Sequence, residues 1–187
     1  MLQITIPRRE YFDDLKQEFI EQKEQTLSLE HSLISISKWE MKWQVPFLDK
    51  LEKGLTNEEF IDYVRCMSLN SNVKYEDCTG LTKQNADEIA AYIDNKMTAT
   101  WFNEQNKPKG SGRHRGQVVT SELIYYWMIQ YEIPIEECQK WHLNRLLTLI
   151  HVCEAKSSPS KKMKKKDIYA SNRALNEARR KKLGTKG

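Results

Sequence analysis

Cys138 and His142 stand four residues apart in IEECQKWHLNRLLTLIHVCEA, and His151 and Cys153 follow in the same apolar run. A thiol beside an imidazole is the core of a nucleophile–base pair. Two Cys with two His also form a zinc donor set. The spacing predicts one continuous helix here, and on one helix the four groups spread along about four turns. Tetrahedral coordination needs ligands that converge from several directions. The expectation is therefore a packed thiol and a hydrogen-bonded imidazole, with no metal. A nucleophile also needs an oxyanion-stabilising loop and an orienting partner, and no such motif stands beside the pair. Catalysis would require the Cys138/His142 region to line a pocket.

Other motifs point the same way. The paired carboxylates Asp13-Asp14, Glu58-Glu59 and Glu136-Glu137 suit helix first turns, where negative charge meets the positive end of the dipole, or surface positions. The chain contains no GxGxxG, GxxxxGK[ST], HExxH or GxSxG pattern. Glycine is scarce, with seven in the chain, and GSGRHRG at 110–116 is framed by neither a strand nor a Lys-Ser/Thr pair. The expectation is a protein that is not an enzyme and needs no cofactor.

Charge is divided along the chain. Residues 156–187 carry twelve Lys/Arg against two acids, a net +10, while residues 1–155 carry eighteen against twenty-four, a net −6. The segment KSSPSKKMKKKD alone holds six Lys. Candidate partner-binding residues in this tail are Lys161, Lys162, Lys164, Lys165, Lys166, Arg173, Leu175, Arg179 and Arg180. A second basic stretch, NEQNKPKGSGRHRGQ at 103–117, offers Lys107, Lys109, Arg113 and Arg115 without an apolar anchor, which predicts an exposed loop. Such charge suits phosphates, an acidic protein surface, or the acidic body of the same or a second copy, giving a homo-oligomer. The tail has one aromatic, Tyr169, so base stacking is poorly served. Ile168, Leu175 and Ala178 give it a thin apolar face, a helix that orders on a protein partner.

The elements that position these residues fall into three parts. LQITI at 2–6 predicts a strand closed by Pro7, and the alternation through Leu27, Leu29, Leu33, Ile34 and Ile36 predicts further strand. Residues 1–37 are thus an antiparallel β element, residues 38–155 a helical core, and residues 156–187 a basic tail. In the core, Trp39 and Trp43 share one helix face that Pro46 ends. Thr56-Asn57-Glu58-Glu59 is a capping box, followed by Phe60, Ile61, Val64, Met67 and Leu69. Leu81-Thr82 opens a helix with Ile89, Tyr92, Ile93 and Met97 as its stripe. TSELIYYWMIQYEI, apolar on nearly all sides, predicts a central buried helix that turns at Glu132-Ile133-Pro134 into the Cys138/His142 helix, which stops at Ala155. The fold class is α+β, mainly helical. No run reaches the ~20 apolar residues of a membrane span, and no h-region follows Met1. The expected compartment is the cytosol, with reduced thiols and Cys66 and Cys153 as small core residues.

Three stretches carry a family likeness: SLISISKWEMKWQVPFL at 32–48, MTATWF at 97–102, and SELIYYWMIQYEIPIEECQKWHLNRLLTLIHVC at 121–153. With the PSKKM and RALNEARRKKLGTKG endings, they resemble tail assembly chaperones of long-tailed bacteriophages and prophages, encoded near the tape-measure protein. The resemblance runs from about residue 26 to the end of the chain. It implies a non-enzymatic protein of the host bacterial cytoplasm. Its partners would be the tape-measure and tail-tube proteins, and it would leave the finished virion. The family has no catalytic motif, so no active-site residue is carried over. An apolar partner surface could draw on Trp39 and Trp43, with Trp101, Trp127 and Trp141. A tail or head–tail connector structural protein fits the same gene region. A nucleic-acid-binding phage protein using the basic loop and tail remains a separate alternative.

Overall fold

The computed structural model describes residues 1–13, 17–100, 118–157, 169 and 173. The chain divides into two units, Met1–Glu154 and Ala155–Gly187. The fold is α+β and mainly helical, with the β structure at the N-terminus. In the second unit Tyr169 and Arg173 are helical, and Tyr169 is exposed. The tail residues Lys161, Lys162, Lys164, Lys165, Lys166, Leu175, Arg179 and Arg180 lie outside the described residues. So do Trp101 and the loop residues Lys107, Lys109, Arg113 and Arg115.

Four strands build the N-terminal element: β1 (Leu2–Ile6), β2 (Arg9–Asp13), β3 (Glu18–Gln22) and β4 (Gln25–Leu29). β1 pairs with β4 and β2 with β3, both antiparallel. Leu2 faces Leu29, Ile6 faces Gln25, Arg9 faces Gln22 and Asp13 faces Glu18. One register therefore runs through both ladders, a single hairpin ribbon interrupted where Pro7 and Arg8 oppose Lys23 and Glu24. Proline has no N–H to give the ladder. The faces also exchange at the break. Ile4 and Ile6 are buried on β1, whereas on β2 Arg9 and Tyr11 are the half-buried positions and Glu10 and Phe12 are exposed. A step of three from Ile6 to Arg9 in an element of period two means that the ribbon rolls.

Gly80 lies under that roll. A Cβ there would stand 2.8 Å from Ile6 Cγ2 and 3.1 Å from both Arg9 Nε and Gln22 Oε1. Around it the ribbon is tied to the helical part. Arg9 Nη1 donates to Thr79 O at 2.9 Å, and Gln22 Nε2 donates to Asp77 O at 2.8 Å.

The strand expectation runs too far at its C-terminal end. Leu33, Ile34 and Ile36 belong to α1 (Leu33–Trp43), not to a strand. Ser32 caps this helix: its hydroxyl accepts from Ser35 N, and Ser35 Oγ accepts from Ser32 N. This is a capping box closed by Ser rather than Glu. The alternation through Leu33 and Ile36 is the start of a helical stripe continuing to Trp39, and all three are buried. Gln44, with φ of 54°, ends α1, and α2 (Phe47–Lys53) starts after Pro46. The expected Thr56 box caps α3 (Asn57–Met67). A single turn, α4 (Tyr75–Cys78), precedes α5 (Lys83–Asp94), which Thr82 caps. Then come α6 (Ser121–Gln130), α7 (Ile135–Cys138) and α8 (Leu143–Ser157).

Four further expectations are corrected. Leu69 is exposed beyond α3, where its N–H donates to Ser28 O at 2.8 Å and extends the β4 edge instead. Met97 lies beyond α5 with φ of 48°, outside the stripe. α6 is not wrapped in protein: Ile124 and Met128 are buried, but Tyr126 is 57% and Ile129 64% exposed. The single helix expected from Ile135 is broken between Cys138 and Leu143, because Leu143 N donates to His31 O at 2.7 Å and the chain there pairs with the start of α1. α8 then runs two residues past Ala155. One apolar cluster spans the ribbon and the helices, with Leu27, Leu29, Leu33, Trp39, Phe47, Tyr63, Met128 and Leu146 at its centre. Cys66 is buried as expected and Cys153 only partly so.

Gly80→Ala should drive its new methyl into Ile6 and the Arg9 side chain. The expected cost is about 1–3 kcal/mol, read as a lower urea midpoint with little change in slope.

Candidate functional site

The break before α8 undoes the i, i+4 relation on which a Cys138–His142 pair would depend. Cys138 is buried at the end of α7, and burial raises its thiol pKa. His142 is fully employed. Its Nε2 donates to Tyr92 O at 3.0 Å, and its Nδ1 accepts from Asn144 N at 3.3 Å. Its N–H is given to Tyr92 and its lone pair is taken by Asn144 N, so neither nitrogen is turned to the Cys138 thiol. Among the described residues, no group of three or more His, Cys, Asp or Glu is placed to hold a metal ion.

A histidine the motif search passed over, His31, packs against His142 with ring centroids 5.1 Å apart. His31 Nδ1 bonds the Tyr63 hydroxyl. Nearby, the Tyr92 hydroxyl donates to Glu30 Oε1 at 2.7 Å, and Glu30 Oε2 holds the Met1 ammonium at 2.8 Å. Burial, with His142 as a smaller cause, pushes the His31 pKa down to about 3. Burial also lowers that of His142, against the opposing Tyr92 bond. Both rings are neutral at pH 7 and join the base of the ribbon to the start of α8.

The two candidate tryptophans differ. Trp39 is 0% exposed, with its indole N–H on Glu59 O at 3.1 Å, so it leaves the candidate surface and joins the core. Trp43 stacks on Trp39 at 5.8 Å and is half-buried. Its N–H donates to Asp62 Oδ2 at 2.9 Å, and it borders a shallow hollow with Lys42, Glu58 and Tyr75. Asp62 is buried. Desolvation alone would raise its pKa, but bonds from Lys42 (2.8 Å), Trp43 and Arg65 (2.9 Å) outweigh that and hold it low.

A more apolar site with room for a ligand lies elsewhere. α2, α6 and α8 enclose a cleft of about 530 Å³ lined by Leu48, Val119, Trp127, Gln130, Tyr131, Leu147, Ile150, His151 and Glu154. Its size is within the ligand-pocket range of roughly 300–1,000 Å³. Glu40 fixes two of its walls. Glu40 Oε1 accepts from Phe47 N and Oε2 from Ser121 N, each at 2.8 Å, which anchors the starts of α2 and α6. Trp127, Gln130 and Tyr131 face the cleft from one side of α6, and Leu147, Ile150, His151 and Glu154 from one side of α8. Exposed Tyr126 and Ile129 lie on the same helix as Trp127. Of these residues the sequence analysis singled out Trp127, for an apolar surface, and His151, as a possible metal ligand. The available signal was the apolarity of α6 on nearly all sides, which marks a helix covered all round or one left with an open apolar face. Of the tail candidates, Arg173 is described, and it is exposed.

No family model, curated protein or solved structure matches this chain.

The histidines set an acid limit on the fold. Their folded pKa values lie below the ordinary value of about 6.5, so the unfolded chain binds more protons once pH drops below that value. For His31 the stabilisation is complete above pH 6.5 and is lost as pH falls towards 3. Between pH 6.5 and 5 the neutral His31 imidazole adds a slope of up to about 1.4 kcal/mol per pH unit, and His142 acts in the same direction. Urea midpoints across that range should fall with acid, and His31→Gln should flatten the dependence.

Proposed function

We propose that this chain is a non-enzymatic assembly factor of long-tailed bacteriophage tails, a tail assembly chaperone that holds helical segments of the tape-measure and tail-tube proteins in the host cytoplasm. The α2/α6/α8 cleft carries this reading. Its walls are apolar and aromatic, and exposed Tyr126 and Ile129 extend apolar surface along α6. A groove of this kind takes the apolar face of an amphipathic helix as i, i+3, i+4 and i+7 anchors. A long apolar helix awaiting assembly needs such cover. The basic stretches around Lys107–Arg115 and Lys161–Arg180 supply charge that could grip a second partner or the acidic body of a neighbouring copy, apart from the helix in the cleft. The resemblance of residues 26–187 to tail chaperones supplies the phage setting.

A second reading rests on the +10 charge of residues 156–187, which would favour nucleic acid through counterion release. Co-expression with the neighbouring tape-measure and tail-tube proteins separates the two, with pull-down at two salt concentrations and with and without nuclease. The chaperone reading expects a nuclease-resistant complex that keeps the tape-measure protein soluble and weakens little with salt. Trp127→Ala should weaken that complex by 2 kcal/mol or more, the scale of about a thirtyfold loss for an aromatic hot spot. Loss of every partner on nuclease treatment, with nucleic acid recovered in its absence, would establish the second reading instead.

A further inference from the structure

We infer that the cleft selects a cationic amphipathic helix, and that Glu154 reads a Lys or Arg placed one turn beyond the helix's apolar stripe. This deepens the helix-binding reading of the cleft and rests on it. Among the described lining residues Glu154 is the one carboxylate, and none of them is a Lys or Arg. It stands four residues after Ile150 on α8, so the carboxylate follows the apolar wall on the same helix face. The side chain is half-buried, and among the described residues no cation pairs with it. Asp62, by contrast, is closed by Lys42 and Arg65.

The complementary ligand follows from these positions. Its apolar stripe meets Trp127, Leu147 and Ile150. A flanking Lys lays its methylene stem on that surface and carries its ammonium to Glu154. A Glu at the same ligand position would place a second carboxylate beside the half-buried Glu154. Discrimination is thus built from attraction and repulsion at one residue.

The test uses the full chain and synthetic amphipathic helices of about 18 residues, long enough to hold helical structure. The peptides share one apolar stripe and differ only in Lys, Gln or Glu at the flanking position, and Kd is read by anisotropy of a peptide label. The chain's formal net charge is +4, so bulk attraction favours the Glu peptide. A preference for Lys must therefore come from the site. The Lys peptide should bind about tenfold tighter than the Glu peptide. Glu154→Gln should remove that preference while leaving the Gln peptide's affinity unchanged, and Glu154→Lys should reverse it. Equal affinity for the three peptides, or a Lys preference that survives Glu154→Gln, overturns the role of Glu154 and leaves the cleft as a helix site. Failure of all three peptides to bind overturns the helix-binding reading itself.

Discussion

The carboxylate of Glu40 joins three helices. It lies near the end of α1 and is almost fully buried, with one oxygen on the first amide of α2 and the other on the first amide of α6. Helix N-termini present amides with no partner inside the helix, together with the positive end of the dipole. One buried carboxylate satisfies two such ends. The αL residue Gln44 makes this reachable, since it turns the chain so that Phe47 returns to Glu40 within seven residues. The geometry of the cleft is downstream of this contact. Leu48 follows Phe47 directly, and Val119 lies two residues before Ser121. Leaving either amide buried and unpaired would cost about 1–3 kcal/mol, so the separation of the two walls is held by an energy comparable to a large core substitution.

Other buried polar groups follow the same rule of satisfaction, with the Ser121 hydroxyl, which has no partner, as an exception among the described residues. Asp62 takes three donors, and His142 uses both ring nitrogens. The His31–His142 contact differs in kind, because it brings together two chain segments far apart in sequence. The backbone bond from Leu143 to His31 and the bridge between Ser32 and His142 place the beginnings of α1 and α8 side by side. A continuous helix from Ile135 would carry its amides past that pairing. The break after Cys138 is thus a tertiary effect, in which a bond across the domain replaces one along a helix.

That distinction explains what could be read from the sequence. Capping signals at Thr56 and Thr82 are local and mark real helix starts. The fold class follows from the same local periodicities. The start of α1 was hidden because its box closes through Ser35, whereas a Glu or Gln at that position is the recognisable sign. The break before α8 carries no local mark. Neither does Glu40, whose partners lie seven and 81 positions along the chain. Of the cleft, only Trp127 and His151 stood out beforehand. Two of its walls, α2 and α6, are set by Glu40, which no local pattern marks. Trp39 shows the opposite error: an aromatic type common at interfaces is spent here on the core.

α6 is where fold and function separate. Ile124 and Met128 satisfy the core, and nothing in the packing asks for Tyr126 and Ile129 on the outer side. Single exposed apolar residues are ordinary on protein surfaces. Here two of them share a short helix with Trp127 and Tyr131, which line the cleft. An amphipathic helix serving the core alone would be polar on that side. The sequence instead keeps α6 apolar on both flanks while placing the basic excess in residues 156–187 and the acidic excess in the rest. Apolar contact and long-range charge are thereby assigned to different parts of the chain. The first acts only at contact, and the second acts over a distance set by ionic screening.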